Sequence, residues 1–193
     1  QVKERMKDIE IPAGYQVKMG GEAEDLQQSY NDMFRALILA VFLIGGVMVL
    51  QFRSYRQALF ILLTIPLALI GVFPGLVIID STLTFPAIIG IVALTGIVVN
   101  DAIILVARIN QNRRNGIEKR EAVIEAGKAR LQPIVLTTVT TIGGILPLAL
   151  SSELWGPLGF SIIFGLLFAT VLTLFVVPLL YLKLGERRME EHN

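Results

Sequence analysis

Several kinds of chemistry are closed to this chain by what its 193 residues do not contain. There is no cysteine, so neither disulfides nor thiol chemistry is available. The single histidine, His192, sits beside the last residue, and with no cysteine to join it a zinc site lacks its ligands. Charge is scarce: 17% of residues are Asp, Glu, Lys or Arg, and a formal net charge of +1 gives no reason to expect nucleic acid. No phosphate-cradling loop, metal cluster or nucleophile with a base is present, so an enzyme reading has no residues to rest on. Residue 1 is Gln, and no charged n-region precedes a cleavable apolar segment. We therefore expect a piece of a longer protein, without a signal peptide.

Apolar sequence is what the chain has in abundance. It is 54% hydrophobic with a mean hydropathy of +0.68, and a soluble domain of this size would break its apolar runs sooner. Five runs are long enough to cross a bilayer, at about residues 34–52, 57–79, 85–109, 133–150 and 157–182. The predicted fold class is an all-α membrane protein, a bundle of five transmembrane helices filling residues 22–182. Ahead of it, residues 1–10 suit the end of a charged helix, residues 12–14 a turn, and residues 15–19 a short alternating strand. Residues 1–21 are thus expected to be a short α/β remnant at the edge of a larger domain. From Glu22 a polar helical pattern enters the first span without a breaker, which predicts one long helix whose first turns stand out of the membrane. Residues 118–130 place Ala122, Val123 and Ala126 on one face, as a short helix lying on the membrane surface would. Residues 183–193 form a charged tail.

Lysine and arginine set the orientation. The turn at 53–56 holds two, the segment 108–130 holds seven and the tail from 183 holds three, while the short loops at 80–84 and 151–156 hold none. All twelve fall on one side, which the positive-inside rule assigns to the cytoplasm. The N-terminal piece and the two short loops then face outward.

One feature of the third span stands against the apolar background: Asn100 and Asp101, side by side near its middle. A carboxylate at that depth costs roughly 2.5–3.5 kcal/mol on insertion scales and is usually kept for function. At about 100° per residue, Ala93, Gly96, Asn100 and Ala107 share one narrow stripe, expected to be a packed interface because small residues let a neighbouring helix approach. Asp101 lies about 100° around, with Gly90, Leu94 and Ile97, and Arg108 follows two turns further along. The pair suggests proton or cation handling; the plainer alternative is interhelical hydrogen bonding with Asp101 protonated and inert. On the fourth span Arg130, Thr137, Thr141 and Gly144 share a stripe, flanked by Thr138 and Thr140. Such threonines often bond back to their own helix carbonyls, and Arg130 suits a lipid-headgroup anchor. The sharper expectation is that Thr137 and Thr141 reach across to Asp101 or Asn100.

The stretch GIVVNDAIILVARINQNRRNG resembles the resistance–nodulation–division superfamily, in particular the C-terminal half of its hydrophobe/amphiphile efflux pumps. YQVKMGGEAEDLQQSYNDMFRALILAVFLI, RLQPIVLTTVTTIGGILPLAL and TVLTLFVVPLLYL extend the resemblance, in order, over nearly the whole chain. It implies that residues 1–21 end a periplasmic porter domain, and that the five spans are transmembrane helices 8 to 12 of a twelve-helix protomer. It further implies an inner-membrane homotrimer exchanging protons for amphiphiles, with no cofactor beyond the proton gradient. The implied partners are the N-terminal half of its own longer chain, membrane lipid, and in many members a periplasmic adaptor and an outer-membrane channel. In the family the proton site pairs two aspartates of the N-terminal half with polar residues of the tenth and eleventh helices. Asn100 falls where familiar members carry a relay lysine, Asp101 where they carry asparagine, Thr137 on the relay threonine and Arg130 on a functional arginine. The order here is therefore amide then acid, where lysine then amide is usual, and the lysine-based charge switch has no counterpart. Two alternatives remain at this point: a subunit of the same superfamily acting in protein export or assembly, and a structural membrane anchor.

Overall fold

Long apolar runs with few breakers become long helices, because inside a bilayer every backbone polar group has to be satisfied within the segment. The computed structural model describes residues 22–184, and the expected α/β remnant at 1–21 and the end of the tail lie outside them. Six helices account for the described residues: α1 Glu22–Phe52, α2 Tyr55–Leu62, α3 Thr64–Ile78, α4 Phe85–Arg114, α5 Lys119–Ser151 and α6 Gly156–Leu184. No strand occurs among these residues. With α2 and α3 together forming one span, five segments are long and apolar enough to cross a membrane.

The polar start of α1 and the first span are one unbroken helix of 31 residues, as its pattern predicted. It stops at Arg53, whose φ of 49° puts a non-glycine residue in the left-handed region, and Ser54 then caps α2 by accepting from the Gln57 backbone N–H. The second span is not continuous. Pro66 has no N–H to offer the Leu62 carbonyl, and the helix hitches at Leu63 before resuming as α3. At the hitch the Thr64 hydroxyl donates to the Ile61 carbonyl. Thr84 caps α4 through the Ala87 backbone N–H, with Pro86 in the first turn, where a missing N–H leaves no helix bond unmade.

The fourth span departs from expectation. A surface helix at 118–130 followed by a separate span from Pro133 does not form; α5 runs 33 residues from Lys119 to Ser151 with Pro133 and Pro147 inside it. The apolar face of Ala122, Val123 and Ala126 explains this. Rather than lying on a membrane surface it is buried in the bundle, Val123 and Ala126 in one cluster with Val106, Ile109, Val177 and Tyr181. The Asn112 side-chain amide pins the turn by donating to the Ala122 carbonyl (3.1 Å), and Lys119 Nζ reaches the Leu182 carbonyl (2.9 Å).

Helix α6 is the hub, packed against α3, α4 and α5, whereas α1 lies outside and, among the described residues, touches α2 and α4 alone. Backbones come close where glycine allows it. A Cβ on Gly90 would sit 2.6 Å from the Leu158 carbonyl oxygen, so α4 and α6 meet there nearly backbone to backbone. The core is split along the bundle. One apolar cluster lies toward the basic loops around Leu105 and Ile109, and another lies toward the short loops around Val72 and Leu94.

Candidate functional site

Asp101 sits at the seam between those two clusters. It follows Val98, a member of the outer cluster, and precedes Ala102, a member of the inner one. Its side chain is buried, 8% exposed, in a crevice lined by Val98 of α4, Ile134 of α5 and Leu166, Ala169, Thr170 and Thr173 of α6. The crevice has no room for a water molecule. Gly90 and Leu94, which share the Asp101 face of α4, are buried as well. The crevice that holds Asp101 is therefore walled mainly by the last helix, with α5 contributing Ile134.

Asn100 points elsewhere. With Ala93, Gly96 and Ala107 it lies exposed on the outside of the described bundle. The stripe of small residues expected to be packed is thus left uncovered by the described residues. One turn of α4 carries two polar side chains on different faces, one inward and one outward.

The threonines of α5 sort the same way, and not as the sequence suggested. Thr137 is exposed and its hydroxyl donates to the Pro133 carbonyl of its own helix (2.9 Å), so the expected bond from Thr137 to Asp101 or Asn100 is not made. Thr140 likewise bonds back, to Leu136 and Thr137. Thr141 is half-buried and is not among the residues lining the Asp101 crevice. Thr138 turns inward: it is buried, donates to the Ile134 carbonyl (3.0 Å) and shares a 2.7 Å hydrogen bond with Thr170 of α6. Arg130 is half-buried one turn before Ile134. Arg108, predicted on the Asp101 face, bonds along α4 to Gln111 (3.1 Å).

Sequence reasoning missed Thr138 as the inward threonine, and Thr170 and Thr173 altogether. Their signal was present in part, since two threonines three residues apart fall on one side of a helix. It also missed a polar lock near the basic loops. Gln57 of α2 and Asn110 of α4 exchange amide hydrogen bonds (3.2 and 2.8 Å), and the Tyr181 hydroxyl of α6 donates to the same Asn110 oxygen (2.7 Å). At the opposite end, a cavity of about 340 Å³ opens between the two short loops, with Asp80 and Glu153 in its wall. Among the described residues no group of three or more His, Cys, Asp or Glu is placed to hold a metal ion.

A bundle of long apolar helices is what the resemblance calls for, and comparison with known proteins decides the family. The model of the AcrB/AcrD/AcrF family matches residues 1–185. The chain belongs to that family. It is 33% identical over 195 residues to the swarming motility protein SwrC of Bacillus subtilis, a match covering 98% of this chain and 18% of that protein. It is 34% identical over 186 residues to the multidrug resistance protein MdtC of Yersinia pseudotuberculosis, covering 94% and 18%. Two crystal forms of a heavy metal efflux pump superpose with TM-scores of 0.74 and 0.71, at 28% and 32% identity, each over 94% of this chain and 18% of the pump. The chain thus spans less than a fifth of the length of these relatives, and the resistance–nodulation–division resemblance is borne out.

Proposed function

We propose that the chain is the C-terminal transmembrane part of a proton-driven exporter that exchanges protons for amphiphilic compounds across the bacterial inner membrane. The observation that carries this reading is the division of labour on α4. Asp101 is buried in the bundle seam, while Asn100 stands on an open face of an otherwise apolar span. A buried intramembrane acid marks an ion path by default. An exposed amide at the same depth calls for a protein neighbour, since hydrocarbon offers it no hydrogen bond.

In this reading the Asn100 face, with the exposed Thr137 beside it on α5, meets the N-terminal half of the longer chain. That half supplies the further acids of the relay, the protomers assemble as trimers, and an adaptor and outer-membrane channel join where the member is of that type. The positive-inside rule supports α1–α2 and α4–α5 connections in the cytoplasm and short loops in the periplasm. The name of the relative MdtC, a multidrug resistance protein, supports a multidrug cargo.

Replacing Asp101 tests the proposal in the full-length protein. Asp101→Asn keeps the size and a hydrogen-bonding group but removes the titratable oxygen. Proton-driven efflux from membrane vesicles is expected to fall by about tenfold or more, with membrane insertion and expression unchanged. Efflux at the wild-type rate would remove Asp101 from the mechanism and favour the anchor reading.

A further inference from the structure

Thr173 is 2% exposed, and its hydroxyl is the buried side-chain oxygen with no hydrogen-bond partner among the described residues. Buried hydroxyls are nearly always paired, so an orphan is a place to look for a missing ligand. It lines the same crevice as Asp101. Thr170, one turn earlier, lines it too and is held by Thr138 across the α5–α6 contact. Where the Thr138 proton goes to the Ile134 carbonyl, Thr170 donates to Thr138 and keeps its own lone pairs open.

We infer that Asp101, Thr170 and Thr173 form a proton-binding site inside the C-terminal half, between α4 and α6, separate from the outward face of Asn100 and Thr137. The inference rests on the proposed proton-driven function and adds a second place where a proton is held. The chemistry suits both states of the acid. A hydroxyl donates to a carboxylate and accepts from a carboxylic acid, so Thr173 has a bond to make before and after protonation. One carboxyl and two hydroxyls, in a crevice with no room for water, are too few oxygens to replace the hydration shell of a metal cation. A proton needs no shell. No other titratable or charged side chain lines the crevice from α4, α5 or α6. Helix α3, which also packs on α4 and α6, contains none, and Arg108 is engaged with Gln111.

Infrared difference spectroscopy of the full-length protein in lipid, between acidic and alkaline buffer, tests this directly. Wild type minus Asp101→Asn isolates the carbonyl stretch of protonated Asp101. Thr173→Val, which keeps the branched shape and removes the hydroxyl, is expected to shift that band, because the acid O–H loses the oxygen it donates to. Thr173→Ser is expected to restore it. An Asp101 band that is absent, or that Thr173→Val leaves in place, overturns the inference. A band erased by sodium ions at constant pH overturns it in favour of a metal-cation site. Proton-driven efflux measured on the same preparations separates the two levels. Efflux without the Thr173-sensitive band sinks this site alone, and the band without efflux in the wild type sinks the transport reading.

Discussion

Two neighbouring threonines show how much a single helical step decides. Thr137 and Thr138 are about 100° apart on α5; the first faces outward and bonds to its own backbone, and the second is buried and joined to Thr170. Interhelical hydrogen bonds of this kind are worth about 0.6 kcal/mol on average in a membrane, rarely above about 1.7. Thr138→Val is therefore expected to lower the unfolding midpoint of the full-length protein in detergent. Thr137→Val is expected to leave the midpoint unchanged, since it removes only a bond within its own turn. If Thr137 serves the outward relay face, that variant instead lowers proton-driven efflux. Equal effects of the two variants on stability would contradict the assignment of inward and outward faces. The sequence did mark this region as polar, through its run of hydroxyls. It does not show which hydroxyl points where, because the stripe of Arg130, Thr137 and Thr141 holds no information on where α6 lies.

At the scale of elements, composition was a good guide to existence and a poor one to boundaries. The five spans were legible because an apolar run of bilayer length has one stable solution, a helix. The two prolines show the limit of that logic. Pro66 hitches a span whose two pieces are both packed in the core, through Ile61 and Ile65, whereas Pro133 lies within an unbroken α5 whose first turns are clamped to the bundle through Ala122, Val123 and Ala126. A proline in the sequence therefore does not by itself tell a hitch from a continuous helix. The lock of Gln57, Asn110 and Tyr181 belongs here too, since it ties α2, α4 and α6 together near the basic loops. Polar residues near a span end read as solvated when no partner is known. Asn110→Leu strips the Gln57 amide of both its side-chain bonds, and leaving such buried groups unmet costs about 1–3 kcal/mol. The expected result is a lower unfolding midpoint and faster proteolysis at the α4–α5 connection, with the Asp101 infrared band unmoved. A midpoint within error of wild type would show that the lock carries no stability.

For the whole molecule, the exposed surface divides into what lipid can cover and what it cannot. Much of α1 is bare: Phe42 is 75% exposed and Leu50 80%, and Met48 is its one large side chain in the core among the described residues. Lipid tails suit such a surface as well as another helix does, so apolar exposure alone asks for no partner. The Asn100 face of α4 is different, and so is the side of α5 with Thr137 and Thr140, because these are exposed polar groups on apolar spans. The two threonines are satisfied by their own helix, but Asn100 has no such bond in the described structure. A bundle with this face open is incomplete in hydrocarbon, and the longer relatives, of which the chain spans 18%, have the length to supply the missing half. Produced alone in detergent, the chain is expected to self-associate or to give broad, protease-sensitive material. Co-produced with the N-terminal half as a separate polypeptide, it is expected to co-purify as one sharp species, and Asn100→Leu is expected to weaken that association. Size-exclusion chromatography with limited proteolysis reads both outcomes. A sharp, protease-resistant monomer of the chain alone would mean that lipid or detergent satisfies the Asn100 face, and that the second half is not needed to complete this one.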